Sequence, residues 1–321
     1  MQEDPAYAVL EVLARSGSDY VDRPGLANKA GVGFDDVPTT VEHLVRQGFP
    51  VEKHPAYGFR LPAAFDLIDR DVVNAELHRR GLNARVDGFV ETPSTNDLAA
   101  VAEDEGTTIF AEHQTQGRGR LGRAWHSPVG TGLWFSTVTL LGLPVVEGWR
   151  ITLGAGLAVA EAIEQLAGIT PQLKWPNDVH INERKVAGVL TESKSAGGYL
   201  THTVIGIGVN VHLDVSDFPP GLRESAGSVL SSGGEVRRGD LLVEILTHLD
   251  GCLSMSTNEL RQRWSARCSH WGEDVRVEVD GKLVVGRAES LAENGAFVVK
   301  LPDGTYHAVH AGDVTRLRAV G

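Results

Sequence analysis

The chain has 321 residues, 42% of them hydrophobic, with 42 acidic against 30 basic side chains and a net charge of −12. Such a length argues for two or three domains, and the acid excess reads as a solubility device. The start "MQEDPAYAVL" lacks the basic and apolar regions of a secretory signal. The greasiest run, "GLWFSTVTLLGLPVV", falls short of the ~18–20 apolar residues of a membrane span.

In chain order, "AYAVLEVLARSG", "RPGLANKAGV" and "VPTTVEHLVRQGF" carry helical patterns, the last two joined through Gly31–Gly33. "PVEKHPAYGFRLP" follows as a small hairpin. The set predicts a winged helix-turn-helix over residues 1–65, with DNA binding as its natural use. Thr39, Thr40 and His43 are the candidates for base edges, and Arg46, Lys53 and Arg60 for phosphates. Against this, residues 1–65 hold six Lys or Arg and nine Asp or Glu, whereas DNA affinity rests on phosphate neutralisation. The presumed recognition segment also opens on Asp35 and Asp36. A structural or protein-contact module is the alternative. "AAFDLIDRDVVNAELHRRG" predicts a linker helix, placed over 66–84.

Residues 85–270 alternate strand-like and helical stretches: "TTIFAEHQ", "GLWFSTVTL", the helix "GWRITLGAGLAVAEAIEQLAG", the hairpin "KVAGVLTES" and "YLTHTVIGIGVNV" around "SAGG", and the helices "DLLVEILTHLDGCL" and "NELRQRWSARC". The predicted class is α+β: a mixed or antiparallel sheet with helices on one face. From 271 to 321, "DVRVEV", "KLVVGRAESL", "GAFVVKL" and "TYHAVHAGDVTRL" are short strands. Asp280-Gly281, Asn294-Gly295 and Asp303-Gly304 punctuate them as hairpin turns, which predicts a small SH3-like β-barrel. Cys252 and Cys268 are far apart, with no CxxC and no zinc spacing, which favours a reduced cytoplasm.

Three polar stretches carry chemistry. Residues 112–128, "EHQTQGRGRLGRAWHSP", sit between two strands; their glycines let the backbone approach a ligand, and Arg118, Arg120 and Arg123 offer forked donors to phosphate or carboxylate. No GK[ST] follows, so this is not a P-loop; alone, the string also fits a surface turn or a nucleic-acid patch. "KWPNDVHINERKVAG" places Lys174, Asn177, Asp178 and Lys185 around a bend fixed by Pro176. A hairpin across "INER" brings Asp178 and Lys185 to neighbouring strands, either as chemistry or as a plain surface salt bridge. "TPSTND" begins a helix whose Ser94, Thr95 and Asn96 either cap amides or contact a small ligand.

Taken together, "STN" at 94–96, "QTQGRGRLGRAW" at 114–125, "KWPND" at 174–178, "KVAG" at 185–188 and "GIGVN" at 206–210 resemble the biotin–protein ligases, specifically the longer kind that also serve as the biotin repressor. The resemblance spans nearly the full chain. It implies formation of biotinyl-5′-AMP from biotin and ATP with Mg²⁺, then transfer of biotin to one lysine of a biotin carrier domain. It places Ser94, Thr95, Asn96 and Gln114 on the ureido end of biotin, and Arg118, Gly119, Arg120 and Lys185 along its carboxylate. Arg118, Arg120, Arg123, Trp125, Lys174, Asn177, Lys185 and Asn210 fall on the nucleotide side, although Trp125 equally fits a structural role.

The chemistry agrees, because a carboxylate attacking the α-phosphorus brings two anions together and needs cations there. The expected catalytic set is Arg118, Arg120, Lys185 and Asp178; Asp178 orients or deprotonates the acceptor lysine, or is a structural acid of the bend. Magnesium is expected with ATP, without a protein cage. A glycine-rich loop ordered by biotin would also shield the adenylate from water. Operator DNA and a conditional homodimer are the further partners implied, with no membrane. The rival readings are a biotin-sensing transcription factor without ligase activity and a related lipoate-type acyl ligase.

Overall fold

A computed structural model describes residues 4–279 and 282–317. The first unit comprises α1 (Pro5–Arg15), α2 (Arg23–Ala30), α3 (Val37–Arg46) and an antiparallel hairpin of β1 (Glu52–His54) and β2 (Gly58–Arg60). Asp4 and Asp22 cap α1 and α2 by accepting backbone N–H groups, which satisfies donors that helix starts leave free. Leu10, Leu13, Leu26, Val41 and Leu44, all fully buried, close its core.

The linker differs from expectation. Only α4 (Arg70–Arg79) is helical within 63–81. Asp69 fixes its start by accepting the amides of Asp71 and Val72. The preceding backbone is committed elsewhere: Leu67 and Ile68 are buried, and the Ile68 carbonyl accepts from the Tyr7 hydroxyl at 2.8 Å. A carbonyl turned outward to a distant partner is lost to a helix.

The central sheet contains β3 (Arg85–Thr92), β4 (Thr107–Gln114), β5 (Gly132–Thr139), β6 (Gln172–Lys174), β7 (Asp178–Ile181), β8 (Arg184–Ala196) and β9 (Tyr199–Asn210). Its order is β3-β4-β5-β9-β8-β7-β6, with β3–β4 parallel and the other pairs antiparallel. Strand β3 had not been expected; Val86, Gly88 and Val90 are buried in alternation, but Gly88 on that face and Phe89 on the other blur the period-two pattern in the sequence. The helices α6 (Trp149–Ala167), α7 (Arg238–Ser254) and α8 (Thr257–Ala266) enclose the main core together with Phe135, Ile205 and Ile207. The short α5 (Thr95–Ala99) packs Ala99 against Ile109, Val138 and Val204. Residues adjacent in a strand face opposite ways, so α5 lies on the other face and helices are not confined to one side.

Arg238 ties this sheet to the first unit. It is 1% exposed, and it contacts Glu112 Oε2 on β4 at 2.8 Å, the Gly132 carbonyl at 3.1 Å and the Asp66 carbonyl. Tyr7 of α1 reaches the same Glu112 at 3.3 Å. A buried pair of this kind fixes one arrangement more surely than it adds stability.

The last unit is a five-stranded antiparallel sheet of β10 (Asp274–Val279), β11 (Lys282–Leu291), β12 (Phe297–Lys300), β13 (Tyr306–Val309) and β14 (Asp313–Arg316), in the order β13-β12-β11-β10-β14. The stretch "TYHAVHAGDVTRL", expected as one strand, is two: β13 pairs with β12, whereas β14 pairs with β10 across the sheet, so the chain must bend between them. Gly295 and Gly304 turn with φ of 77° and 86°; Asp280-Gly281 lies outside the described residues. Trp175 docks this unit by donating to the Gly295 carbonyl and packing on Phe297. Among the described residues no helix is long and apolar enough to cross a membrane.

Candidate functional site

A cleft of about 330 Å³ opens on the α5 face of the central sheet. It brings together Ser94, Thr95, Asn96, Gln114, Arg118, Gly119, Arg120, Arg123, Trp125, Lys174, Asn177, Asp178, Lys185 and Asn210. These residues come from separate strands and loops, yet every one was expected from the sequence. Two glycines of "GIGVN" explain how side chains lie so close to the sheet. A Cβ at Gly206 would stand 2.1 Å from Asn96, and one at Gly208 2.6 Å from Trp125.

One end of the cleft is neutral. The Thr95 amide donates to Gln114 Oε1 at 2.9 Å, and the Thr95 and Ser136 hydroxyls meet at 2.7 Å. Ser136 donates to Asn96 Oδ1 at 2.6 Å, and Asn96 Nδ2 donates to Glu192 Oε2 at 2.6 Å. With the Ser136 proton on Asn96, the Thr95 hydroxyl shares its one proton between Ser136 Oγ and Gln114 Oε1, the latter at 3.2 Å. Ser94 occupies the N-cap position of α5 but makes no side-chain cap bond, so the plain capping role does not account for it. Ser136 and Glu192 were missed. Ser136 had no distinguishing signal, being one of three buried hydroxyls, with Thr137 and Thr139, in the strand "GLWFSTVT".

The other end is charged, and its cations are engaged with the chain's own acceptors. Arg118 grips Asp97 with bonds of 2.5 and 3.0 Å. Arg120 reaches Asn177 at 3.3 Å, the Gly312 carbonyl at 3.2 Å and Asp313 at 3.4 Å. Arg123 pairs with Asp313 at 2.5 Å. Asp313 belongs to β14, so the terminal unit holds the loop; sequence reading gave no sign of it. The loop is cinched by Gly119 N–H to the Arg123 carbonyl and Trp125 N–H to the Gly117 carbonyl, and Leu121 at its tip is 78% exposed with φ of 58°.

Lys185 lies 2.6 Å from Asp178 and 5.2 Å from the Trp125 ring. The turn between β7 and β8, with Asn182 and Glu183 both at positive φ, brings this pair together. Burial would raise the Asp178 pKa, but His180 and Lys185 outweigh it and bring it down to about 2. That value suits a charge that orients an amine better than a base that removes its proton. His180 Nε2 faces Asp178 at 4.0 Å, whereas Trp125 Nε1 is buried in this cleft without a hydrogen-bond partner among the described residues. Such an orphaned donor fits a polar ligand.

Asn210 lines the cleft as expected and also holds its wall. Its side-chain amide donates to the Gly227 carbonyl at 2.9 Å and anchors the segment whose Leu222, Ser225 and Ala226 wall the cleft. Cys252 and Cys268 stand outside the cleft, and burial pushes both thiols up to about 12. No three His, Cys, Asp or Glu side chains converge on a metal position among the described residues. In the first unit, Thr39, Arg46 and Lys53 are exposed and His43 is half-buried. The Thr40 hydroxyl is turned back on the Asp36 carbonyl, and Arg60 is drawn into a 2.6 Å pair with Glu52.

Residues 89–210 match the biotin/lipoate A/B protein ligase family, and residues 270–316 match the biotin protein ligase C-terminal domain. The biotin–acetyl-CoA-carboxylase ligase of Mycobacterium tuberculosis is 32% identical over 276 residues, 78% of this chain and 100% of that protein. The bifunctional ligase/repressor BirA of Bacillus subtilis is 27% identical over 92% of this chain and 94% of its own length. Among solved structures, the biotin protein ligase from Aquifex aeolicus in complex with biotin and ATP superposes with a TM-score of 0.63 at 29% identity, covering 73% of this chain and 99% of that one.

Proposed function

The chain belongs to the biotin/lipoate A/B protein ligase family, and from that premise we propose that it is an ATP-dependent biotin–protein ligase acting in the cytoplasm. The observation that carries the reading is the cleft with one neutral, hydrogen-bonding end and one cationic end. A bicyclic urea with a carboxylate tail matches that division. Ser94, Thr95, Asn96 and Gln114 take the ureido group; a ligand lacking it would leave buried polar atoms unpaired, which is a strong basis for selection. Arg118, Gly119, Arg120 and Lys185 take the carboxylate.

In the first step a carboxylate oxygen attacks the α-phosphorus of ATP. The bond from that phosphorus to the oxygen bridging to the β-phosphorus breaks, and pyrophosphate leaves with the electron pair. Arg118, Arg120, Arg123 and Lys185 neutralise the two approaching anions; Trp125, Lys174 and Asn177 complete the nucleotide side, and Asn210 holds its wall. Magnesium carried by ATP would add to this charge neutralisation, as no protein cage for a metal converges among the described residues. In the second step the neutral amine of a carrier lysine attacks the acyl carbon, AMP leaves, and the amine loses a proton. Asp178 orients that amine. The arginine loop covers the mixed anhydride in the interval.

Intact mass measurement of a biotin carrier domain after incubation with the protein, biotin and Mg-ATP tests this reading. A gain of one biotinyl group, lost when the acceptor lysine is replaced, is the expected result. No gain, with retained biotin binding, would favour a sensor without ligase activity; preferential transfer of lipoate would favour the other acyl ligase.

A second role is favoured by the first unit, read here as a winged helix-turn-helix over 1–65 joined by 66–84 to a ligase domain over 85–270 and an SH3-like barrel over 271–321. Thr39 and Arg46 project from α3 and Lys53 from the hairpin, and the aligned BirA relatives named ligase/repressor match over most of the chain. Operator DNA bound by a dimer that forms with the adenylate follows. Fluorescence anisotropy with candidate operator DNA, with and without biotin and ATP, tests it; adenylate-independent or absent binding would reject it.

A further inference from the structure

The side chains of Gln114, Thr95, Ser136, Asn96 and Glu192 form one continuous line across the neutral end of the cleft. Ser136 on β5, Gly206 on β9 and Leu190 on β8 are cross-strand neighbours. Glu192 lies two residues beyond Leu190 and so points to the same face of the sheet as Ser136. Asn96 of α5 fills the space between them, which a side chain at Gly206 would close. Asn96 Nδ2 donates to Glu192 Oε2 at 2.6 Å, and Asn96 Oδ1 accepts from Ser136 at 2.6 Å. An amide can be turned over, which exchanges its donor and acceptor ends, and a hydroxyl can give its one proton to either neighbour. A carboxylate has no such choice, because it only accepts. Turned over, Asn96 would press its oxygen against the Glu192 oxygen, acceptor against acceptor.

We infer that Glu192 is a positioning residue that sets the direction of the hydrogen bonds along this line and thereby makes the Thr95 hydroxyl an acceptor toward the ligand. The inference rests on the biotin reading of the cleft for the identity of that ligand, and not on ligation. With Asn96 held by Glu192, Ser136 gives its proton to Asn96 Oδ1. The Thr95 proton is then drawn to Ser136 Oγ and Gln114 Oε1, at 2.7 and 3.2 Å. Thr95 has only lone pairs left for the cleft, which suit the N–H of a urea and oppose a ring oxygen in its place. With Asn96 reversed, Ser136 would donate to Thr95, and the Thr95 proton would be free for a ligand oxygen. Gln114 does not make this choice, since its Oε1 is committed to the Thr95 amide at 2.9 Å. The selecting information therefore sits on an exposed acid at the outer end of the line, whereas Asn96 and Thr95, which line the cleft, are neutral and reversible. The charge of Glu192 also acts on Arg118, an effect at the carboxylate end that the test must cancel.

Calorimetric titration of the full chain, without ATP, tests this with biotin and with the two analogues that carry a ring oxygen in place of one or the other ureido N–H. All three ligands share one carboxylate tail, so any change at Arg118 cancels in the ratio of their affinities. The parent should bind the analogue whose oxygen meets Thr95 about 100-fold more weakly than biotin, since a hydrogen bond is lost and two acceptors are opposed. Glu192→Gln can donate as well as accept, which lets Asn96 reverse. Its ratio should shrink to about tenfold, with biotin affinity within about threefold of the parent. Glu192→Asp, still an acceptor only, should keep most of the parent ratio. Equal weakening of all three ligands in Glu192→Gln would make Glu192 a plain support and overturn the inference. An unchanged ratio in Glu192→Gln would overturn it too, as would a parent that does not discriminate. Glu192-dependent discrimination in a protein that forms no biotinyl-AMP would uphold the inference and reject the ligase reading, whereas a parent that binds no biotin would reject both.

Discussion

The two ends of the cleft are built on different principles. At the neutral end, Gln114, Thr95, Ser136, Asn96 and Glu192 form a relay in which each group already has a partner, carried on α5 and three strands of one sheet. At the charged end, Arg118 is occupied by Asp97, while Arg120 and Arg123 are occupied by Asp313 of another unit. The relay is fixed by secondary structure and recognises by shape and hydrogen-bond geometry. The arginines sit on a loop, and a substrate anion gains them only by competing with a carboxylate. Selectivity for the acyl substrate thus comes from rigidity, and adenylation from a set of charges that must exchange partners.

Changes at the charged end should be the largest, if that exchange is the chemical step. Arg120→Ala should lower the rate of adenylate formation by roughly 100-fold, typical for losing a positioned donor, and raise the fraction of adenylate released unused. Quench-flow with separation of free and bound biotinyl-AMP measures both; release equal to the parent would remove Arg120 from the shielding role. At the neutral end, Ser136→Ala breaks the relay in its middle. Biotin affinity should fall about tenfold, the cost of one unsatisfied buried group, while KM for ATP holds. An equal effect on both substrates would erase the distinction between the two ends.

Asp178 tests the boundary between them. Asp178→Asn should slow transfer to the carrier about tenfold and adenylation less, because a neutral amide orients an amine poorly; equal slowing would make the acid structural. Its lowered pKa also sets a sign. The stabilisation from the depressed carboxylate is fully present above the ordinary value of about 3.9 and is lost as the pH falls through about 2. Acid unfolding followed by fluorescence should therefore lose part of its dependence in that window in Asp178→Asn. The smallest effect is expected from Asp313→Asn. It frees Arg120 and Arg123 from a partly exposed pair worth about 0.5–1 kcal/mol, and KM for ATP should fall two- to fivefold, by that estimate, rather than rise. A rise would mean that Asp313 positions the arginines for the nucleotide instead of competing for them.

Much of the site was legible because it lies in short contiguous strings. "STN", "GRGRLGR", "KWPND" and "KVAG" each hold several residues of the cleft, and the "INER" turn announced the Asp178–Lys185 pair. What stayed hidden had no local signature. Ser136 is one of three hydroxyls in its strand, Glu192 is an exposed acid among many, and the anchoring of Gly227 by Asn210 joins residues 17 apart. The linker helix was overextended for a related reason: its pattern was sound, but Tyr7 claims the Ile68 carbonyl from 61 positions away.

By itself the sequence determined the α+β class, most strands and helices, the turns that need positive φ, and the chemistry of the loop. Caps, turn residues and hydrophobic periods act over a few residues, so their physics is written where it operates. Only the tertiary structure decided that β14 reaches across its sheet to β10, and that Asp313, 193 positions from Arg120 in the chain, holds the loop. It also decided which face of the sheet carries the cleft. Such meetings depend on register and on the packing of separate units, which no local pattern encodes.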